Sequence, residues 1–253
     1  MKPFHILFIP LVAIAGVFYA CSSSTSSNPT SSTTGNLSFT FSVGSTFQFV
    51  QWRTDSVGII DSTKEIVHET VADSMLTFQG MGVTYTVFDT TFDSTGTVFQ
   101  SSDTLYYSVS GGTVYQYGFI TQVFTILLDA SLAPPPKWDK IADRGNTAGW
   151  LVDTTAFTPN GLLPLKMQLN GSDAGNVNAT VGANSLQTDH VAGTGTLQLT
   201  AQGTTVSHPL SGNDYLSYNP AILAKGIIAP VPQALFGATI MGFERDLVSF
   251  TVK

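Results

Sequence analysis

Met81-Gly82-Val83-Thr84-Tyr85-Thr86-Val87 alternates apolar residues with small or polar ones at a period of two. Successive side chains of a strand point to opposite faces, so this stretch has one apolar and one polar side, the signature of a half-buried β-strand. Residues 105–109 and 114–117 flank Ser110-Gly111-Gly112-Thr113, where Gly-Gly supplies the positive φ that a tight hairpin turn requires. Residues 87–92 and 97–99 flank Asp93-Ser94-Thr95-Gly96, which reads as a second hairpin built on a type I turn. Leu197 and Leu199, and later Val248, Phe250 and Val252, repeat the alternation up to the end of the chain. From about residue 37 onward the chain is therefore predicted to be all-β. Helix signals are few. Asn219-Pro220 ahead of 221–225 and Gly226 has the cap, first-turn Pro and terminal Gly order of a short helix, and 137–143 could form a helical turn. Three prolines at 134–136 read as a corner within one domain, because either half alone would have few large side chains for a core. The expectation is a single antiparallel domain over 37–253, either a strongly curved sheet (half-barrel) or a barrel-like sandwich, with one or two short helices.

Composition narrows the function classes. The 253 residues carry a net charge of −7 with only 11 % charged side chains, where about 25 % is ordinary. Serine and threonine together number 58, so hydroxyls replace ions as the main solubilising groups. Ten scattered Lys and Arg residues form no cluster to neutralise phosphates, which argues against nucleic-acid binding. A single Cys excludes a disulfide framework and Cys-rich zinc sites.

That Cys has a telling position. Lys2 precedes an apolar run over 4–19 that Pro10 interrupts and that ends at Ala20-Cys21, followed by Ser22-Ser23-Ser24. The run is too short and too broken to span a bilayer as a helix, and it has the build of a signal peptide. The sole Cys after a small residue at its end resembles the lipobox of bacterial lipoproteins, with Phe18 where the strictest pattern has Leu. The resemblance implies removal of residues 1–20, acylation of Cys21, palmitate among its acyl chains, and membrane attachment through that anchor. Several chains would make the attachment stable, since each buried CH₂ contributes about 0.8 kcal/mol and one chain binds only marginally. Ser22 rather than Asp after the Cys resembles the outer-membrane side of the enteric sorting rule. Residues 22–35 are nearly all Ser, Thr, Asn, Pro and Gly, too polar to offset ordering entropy. Residues 21–36 are expected to be a flexible tether with an end-to-end distance of roughly 20 Å.

Chemistry-bearing motifs are sparse. The mature chain has His68, His190 and His208, but neither a Gly-x-Ser-x-Gly elbow nor a His-Glu-x-x-His pair nor a phosphate-cradling loop. Asp189 and His190 are adjacent, which does not let one orient the other. The Asp89, Asp93 and Gly96 spacing lacks the alternating acids and closing Glu of a calcium loop. No catalytic residue, metal site or cofactor is expected, and the chain is expected not to be an enzyme. A glycosidase pair hidden among 14 Asp and 3 Glu remains the enzyme alternative, since such carboxylates meet only in three dimensions.

Seven Asp residues precede Ser or Thr and then an apolar residue or Thr, which places hydroxyls at Ser56, Ser62, Ser74, Thr90, Ser94, Thr104 and Thr154. The pattern resembles the O-glycosylation sequon of Bacteroidota envelope proteins. Asp-Ser and Asp-Thr pairs also start turns, and both roles could coincide. Adjacent Tyr106 and Tyr107 must face opposite sides of one strand. Together with Trp52, Tyr115, Tyr117, Trp138, Trp150, Tyr215 and Tyr218 they could form a stacking face, though strand aromatics are mostly core or cross-strand pairs.

Cys21, the tether, the stretch over 111–117 and the ending at 225–250 resemble Bacteroidota-type lipoproteins. The resemblance implies a lipid-anchored outer-membrane protein, facing periplasm or exterior, and no activity. The tether and the hydroxyl-rich, charge-poor surface lead to the expectation of a non-enzymatic binding or structural module for a lipid, glycan or envelope-protein partner. A curved sheet on a tether is also similar to the half-barrel carriers of lipoprotein sorting, which hold acyl chains under a helical lid; no such lid is legible here.

Overall fold

The computed structural model describes residues 38–127, 133–158, 164–201, 203–235 and 238–253. Fourteen strands run in chain order, with one helix among the described residues. They are β1 (Thr46–Thr54), β2 (Ile59–Met75), β3 (Thr84–Phe92), β4 (Phe99–Ser110), β5 (Thr113–Tyr117), α1 (Phe119–Leu127), β6 (Trp138–Asp143), β7 (Trp150–Phe157), β8 (Leu165–Val181), β9 (Asn184–Ala201), β10 (Thr204–Tyr218), β11 (Ala221–Ile228), β12 (Val231–Leu235), β13 (Ala238–Ile240) and β14 (Gly242–Thr251). Twelve of them form one antiparallel sheet in the order β6-β5-β4-β3-β2-β1-β14-β11-β10-β9-β8-β7, and β12 and β13 pair separately. The chain closes on itself between β1 and β14, where Phe47 faces Phe250 and Arg53 faces Phe243.

The sheet curls nearly into a barrel, and its two edges are joined by side chains rather than by a ladder. Trp150 of β7 donates from Nε1 to the Lys140 carbonyl of β6 at 3.0 Å, and Lys137 pairs with Asp153. The Trp150 ring lies over Gly171 so closely that a Cβ there would sit 2.5 Å from Cζ2. Only glycine permits that seat. Both predicted hairpins form, and Gly111 turns the first of them with φ of 61°.

Inward positions repeat every second residue. Phe47 and Phe49, Val67 and Val71, Val87, Leu105 and Leu247 pack as one core. A second core joins Leu165, Met167, Leu197, Leu199 and Leu210 to Ile120, Val123 and Phe124 of α1, so the helix sits inside the barrel. A third gathers Phe39, Val114, Ile141, Trp150 and Tyr218.

The predicted helices are corrected. Residues 221–225 begin β11, and residues 138–143 are β6. Asn219-Pro220 is a cis peptide at the β10–β11 turn, so the Pro that resembled a helix start belongs to a hairpin. The helix instead forms over Phe-Ile-Thr-Gln-Val-Phe-Thr-Ile-Leu, whose β-branched residues disfavour helix locally. Tertiary contacts override that preference. Gly118, with φ of 77°, turns the chain off β5, and the Asp139 carboxylate accepts from the Ile120 N–H at 3.0 Å, satisfying one orphan donor of the first turn. At the far end the Arg53 guanidinium donates to the Ile126 carbonyl.

Candidate functional site

Between α1 and the inner faces of β1–β4, β11 and β14 lies a cavity of about 680 Å³, within the range of small-ligand sites. Its wall begins with the same period-two rule that built the core. In Val67-His68-Glu69-Thr70-Val71 the inward slots hold Val67, Glu69 and Val71, with Glu69 only 3 % exposed. In β14 the inward slots hold Phe243, Arg245 and Leu247. Arg245 Nη2 reaches Glu69 Oε1 at 2.7 Å and Asp89 Oδ2 at 3.2 Å, and its guanidinium lies 4.1 Å over the Phe49 ring. One cation thus serves two carboxylates.

Burial pushes the Glu69 carboxyl up to about 7 against the opposing pull of Arg245, with Asp89 adding to the rise. Glu69 Oε2 is buried without a hydrogen-bond partner. Asp214 of β10 lines the same cavity, and burial alone pushes it up to about 7. Tyr107, on the inner face of β4, is likewise driven well above the ordinary phenol range by burial and the neighbouring carboxylates. Nearer the open end, Gln51 Nε2 donates to Glu65 at 2.7 Å, while Ser101, Asp103 and Thr125 are exposed. Facing these polar groups, α1 and the strands beside it contribute Phe119, Val123, Ile126, Ile227 and Phe243. One wall is acidic and the other apolar.

The antiparallel connections place the cavity's open end beside the β1–β2 and β3–β4 turns. The described chain enters at the opposite end, where the Thr40 N–H donates to the Tyr218 carbonyl at 2.9 Å beside the β10–β11 turn.

Of the residues singled out in the sequence, Trp52, Tyr107 and Asp89 line the cavity, and the other described ones lie elsewhere. Cys21 and residues 1–36 fall outside the described residues. Ser56 and Ser94 are exposed in turns: Asp55 Oδ1 accepts from the N–H groups of Val57 and Gly58, and Asp93 accepts from those of Thr97 and Val98. The Val98 bond first, then Thr95, holds the Asp93 carboxyl below its usual range. The turn reading is corrected at the other five pairs. Ser62, Ser74 and Thr154 are exposed within strands, and Thr90 and Thr104 are half-buried within strands. There Asp89 turns inward to Arg245, and Asp153 is buried against Lys137.

Tyr106 and Tyr107 take opposite faces, as the strand geometry requires. Tyr107 stacks on Phe41 inside at 5.3 Å. Tyr106 stacks on Phe78 at 4.1 Å, beside Tyr117 and Trp138, and Trp138 Nε1 holds the Phe78 carbonyl at 3.2 Å. These outer aromatics clasp the loop between β2 and β3. His68, His190 and His208 do not line the cavity. Asp189 accepts from the Tyr218 hydroxyl at 3.0 Å, whereas His190 meets Asn213 and stacks on Tyr215. Among the described residues no group of three or more His, Cys, Asp or Glu side chains could hold a metal ion.

Glu69, Asp214 and Arg245 escape the motif search because they belong to no motif, and Asp89 appears in it only as part of turn and sequon patterns that do not point to this site. A usable signal is nonetheless present: an ionisable residue in the apolar slot of an alternating strand, as at Glu69 between Val67 and Val71 and at Arg245 between Phe243 and Leu247.

No family model matches the chain, and no curated protein matches it significantly. Two solved structures share its fold. One is a candidate lipoprotein from Parabacteroides distasonis ATCC 8503, 8 % identical, with a TM-score of 0.54 over 84 % of this chain and 97 % of that one. The other is a candidate exported protein with a YmcC-like fold from Bacteroides fragilis NCTC 9343, 11 % identical, with a TM-score of 0.50 over 84 % of this chain and 98 % of that one. The chain thus shares its fold with a candidate lipoprotein and a candidate exported protein of the Bacteroidetes.

Proposed function

We propose that this chain is a lipid-anchored module of the outer membrane, tethered through Cys21, that binds a small ligand in its barrel without transforming it. The observation that carries this reading is the 680 Å³ cavity, lined by buried ionisable groups that the core does not need. A folded chain gains nothing from an inward carboxylate without a full set of partners, since burying such a group is costly. Ligand binding is the ordinary reason to keep one. The likeness to a candidate lipoprotein and a candidate exported protein supports an envelope location.

A second reading has one observation in its favour. Helix α1 packs inside the barrel and lines the cavity with Phe119, Val123 and Ile126, an apolar surface along which an acyl chain would fit, so an acyl-chain carrier is the competing function. Mass spectrometry of extracts from the full-length protein purified from its own membranes tests both. A small ligand present in the wild type and lost in Leu223→Trp, which fills the cavity, is the expected result. A stoichiometric free acyl chain in its place would favour the carrier, and identical extracts from both proteins would sink the cavity as the site.

A further inference from the structure

Counting the ionisable groups around the cavity shows what kind of ligand it could hold. Five carboxyl groups line it (Glu65, Glu69, Asp89, Asp103 and Asp214) against two guanidinium groups, Arg53 and Arg245, with no lysine or histidine. Arg53 is committed to the Ile126 carbonyl and Arg245 to Glu69 and Asp89. Glu69 Oε2 stays buried without a partner, and no hydrogen bond or ion pair reaches the Asp214 carboxyl from the described residues. The site is therefore deficient in positive charge. An anionic ligand would add like charge to a partly desolvated acidic wall, whereas a cation would supply the missing partner in surroundings that screen it poorly.

Resting on the reading of the barrel interior as a binding site, we propose that the cavity selects an organic cation. An ammonium or guanidinium group would be held by the Asp214 carboxylate, in the field of the buried Glu69–Arg245–Asp89 cluster, and an apolar body would lie along α1. The apolar wall formed by Phe119, Val123, Ile126 and Phe243 fits such a body. A bare inorganic ion would leave that wall uncovered. A neutral acyl chain would shield the Asp214 carboxyl from water without supplying it a partner.

Three probes with one body separate these cases: tryptamine, its neutral analogue N-acetyltryptamine and the anion indole-3-propionate, each titrated into the full-length chain carrying Cys21→Ser while backbone amide shifts are followed. Tryptamine is expected to shift the amides of Gln51, Asp89 and Gly226, and the other two to leave them unmoved. Asp214→Asn should weaken tryptamine binding by about tenfold or more, the worth of one charge-assisted contact. Asp189→Asn, which removes a buried carboxyl that does not line the cavity, should leave it unchanged. Equal binding by Asp214→Asn, or equal shifts from N-acetyltryptamine, would overturn the cation assignment and leave the cavity as a site for a neutral ligand. If none of the three probes moved those amides, the cation assignment and the cavity reading would fall together.

Discussion

Replacing Asp214 by Asn should stabilise the protein, and by an amount that depends on pH in a defined direction. Asp214 lies in the cavity, with burial alone raising its carboxyl from the usual 3.8 to about 7. A carboxyl raised on folding holds its proton more tightly in the native state than in the unfolded one. Its contribution is therefore complete below the unfolded value and drains as the pH climbs through the folded one. Going from about pH 5 to about pH 8, the native chain keeps for about two pH units a proton that the unfolded chain has released, which costs roughly 3 kcal/mol at 1.36 kcal/mol per unit. Asn has nearly the shape of the protonated acid and no charge to lose. The advantage of the variant should be small below about pH 4 and grow by roughly 3 kcal/mol between about pH 5 and about pH 8, or about 6 to 12 °C in Tm for a chain of this length.

Urea denaturation of both proteins across that range measures the difference directly. Glu69, raised to about 7, and Asp139 and Asp189, each raised to about 6, tilt both curves in the same sense and cancel in the comparison. A constant difference between the two proteins at every pH, or a variant less stable than the wild type at the alkaline end, would refute the reasoning that Asp214 stands in the cavity without a counter-charge.

Other substitutions probe the remaining supports. Arg245→Met leaves Glu69 and Asp89 facing each other without their shared cation and should cost about 3 to 5 kcal/mol by urea midpoint; a loss under about 1 kcal/mol would mean that the two acids simply take up protons. Gly171→Ala places a methyl 2.5 Å from Trp150 Cζ2 and should cost about 1 to 3 kcal/mol while red-shifting tryptophan emission as the barrel closure loosens; unchanged emission would show that the ring is not wedged there. Cys21→Ala should abolish palmitate labelling and move the protein out of the membrane fraction, and labelling that survives would remove the anchor from the account.

Much of the fold was legible because strand periodicity is a local property. The Gly-Gly turn at 111–112 and the Asp93-to-Gly96 turn depend on neighbours within a few residues, and each sits where its residues placed it. The alternation over 81–87 marks a strand too, but β3 begins only at Thr84, and its faces are corrected, with Val83 exposed and Thr84 and Thr86 buried. The helix was not legible, because nothing local favours it. Ile120, Val123, Thr125 and Ile126 are strand formers, and what makes them helical is the Asp139 carboxylate, nineteen residues away, at the first turn, Arg53, seventy-three residues away, at the last, and the apolar interior of β8–β10 on one side. Asn219-Pro220 misled for the complementary reason. A Pro after Asn is compatible with a helix start and with a hairpin turn alike, and only the pairing of Tyr218 with Ala221 decides between them.

The candidate site was hidden by this same distance effect. Arg245 meets Glu69 across 176 residues and Asp89 across 156, separations at which no spacing rule operates. Two of the strands nevertheless carry a local mark of the site, an ionisable residue in a slot where both neighbours of the same parity are Val, Phe or Leu, as at Glu69 and Arg245. Such a residue works against the fold that positions it. Glu69 and Asp214 are disfavoured in the empty barrel by burial, and hydrophobic replacements there would be expected to stabilise. The misfit between strand pattern and side chain is thus the most direct trace of function in this sequence, because a cost to folding that recurs on one wall of one cavity is most simply offset by whatever that wall binds.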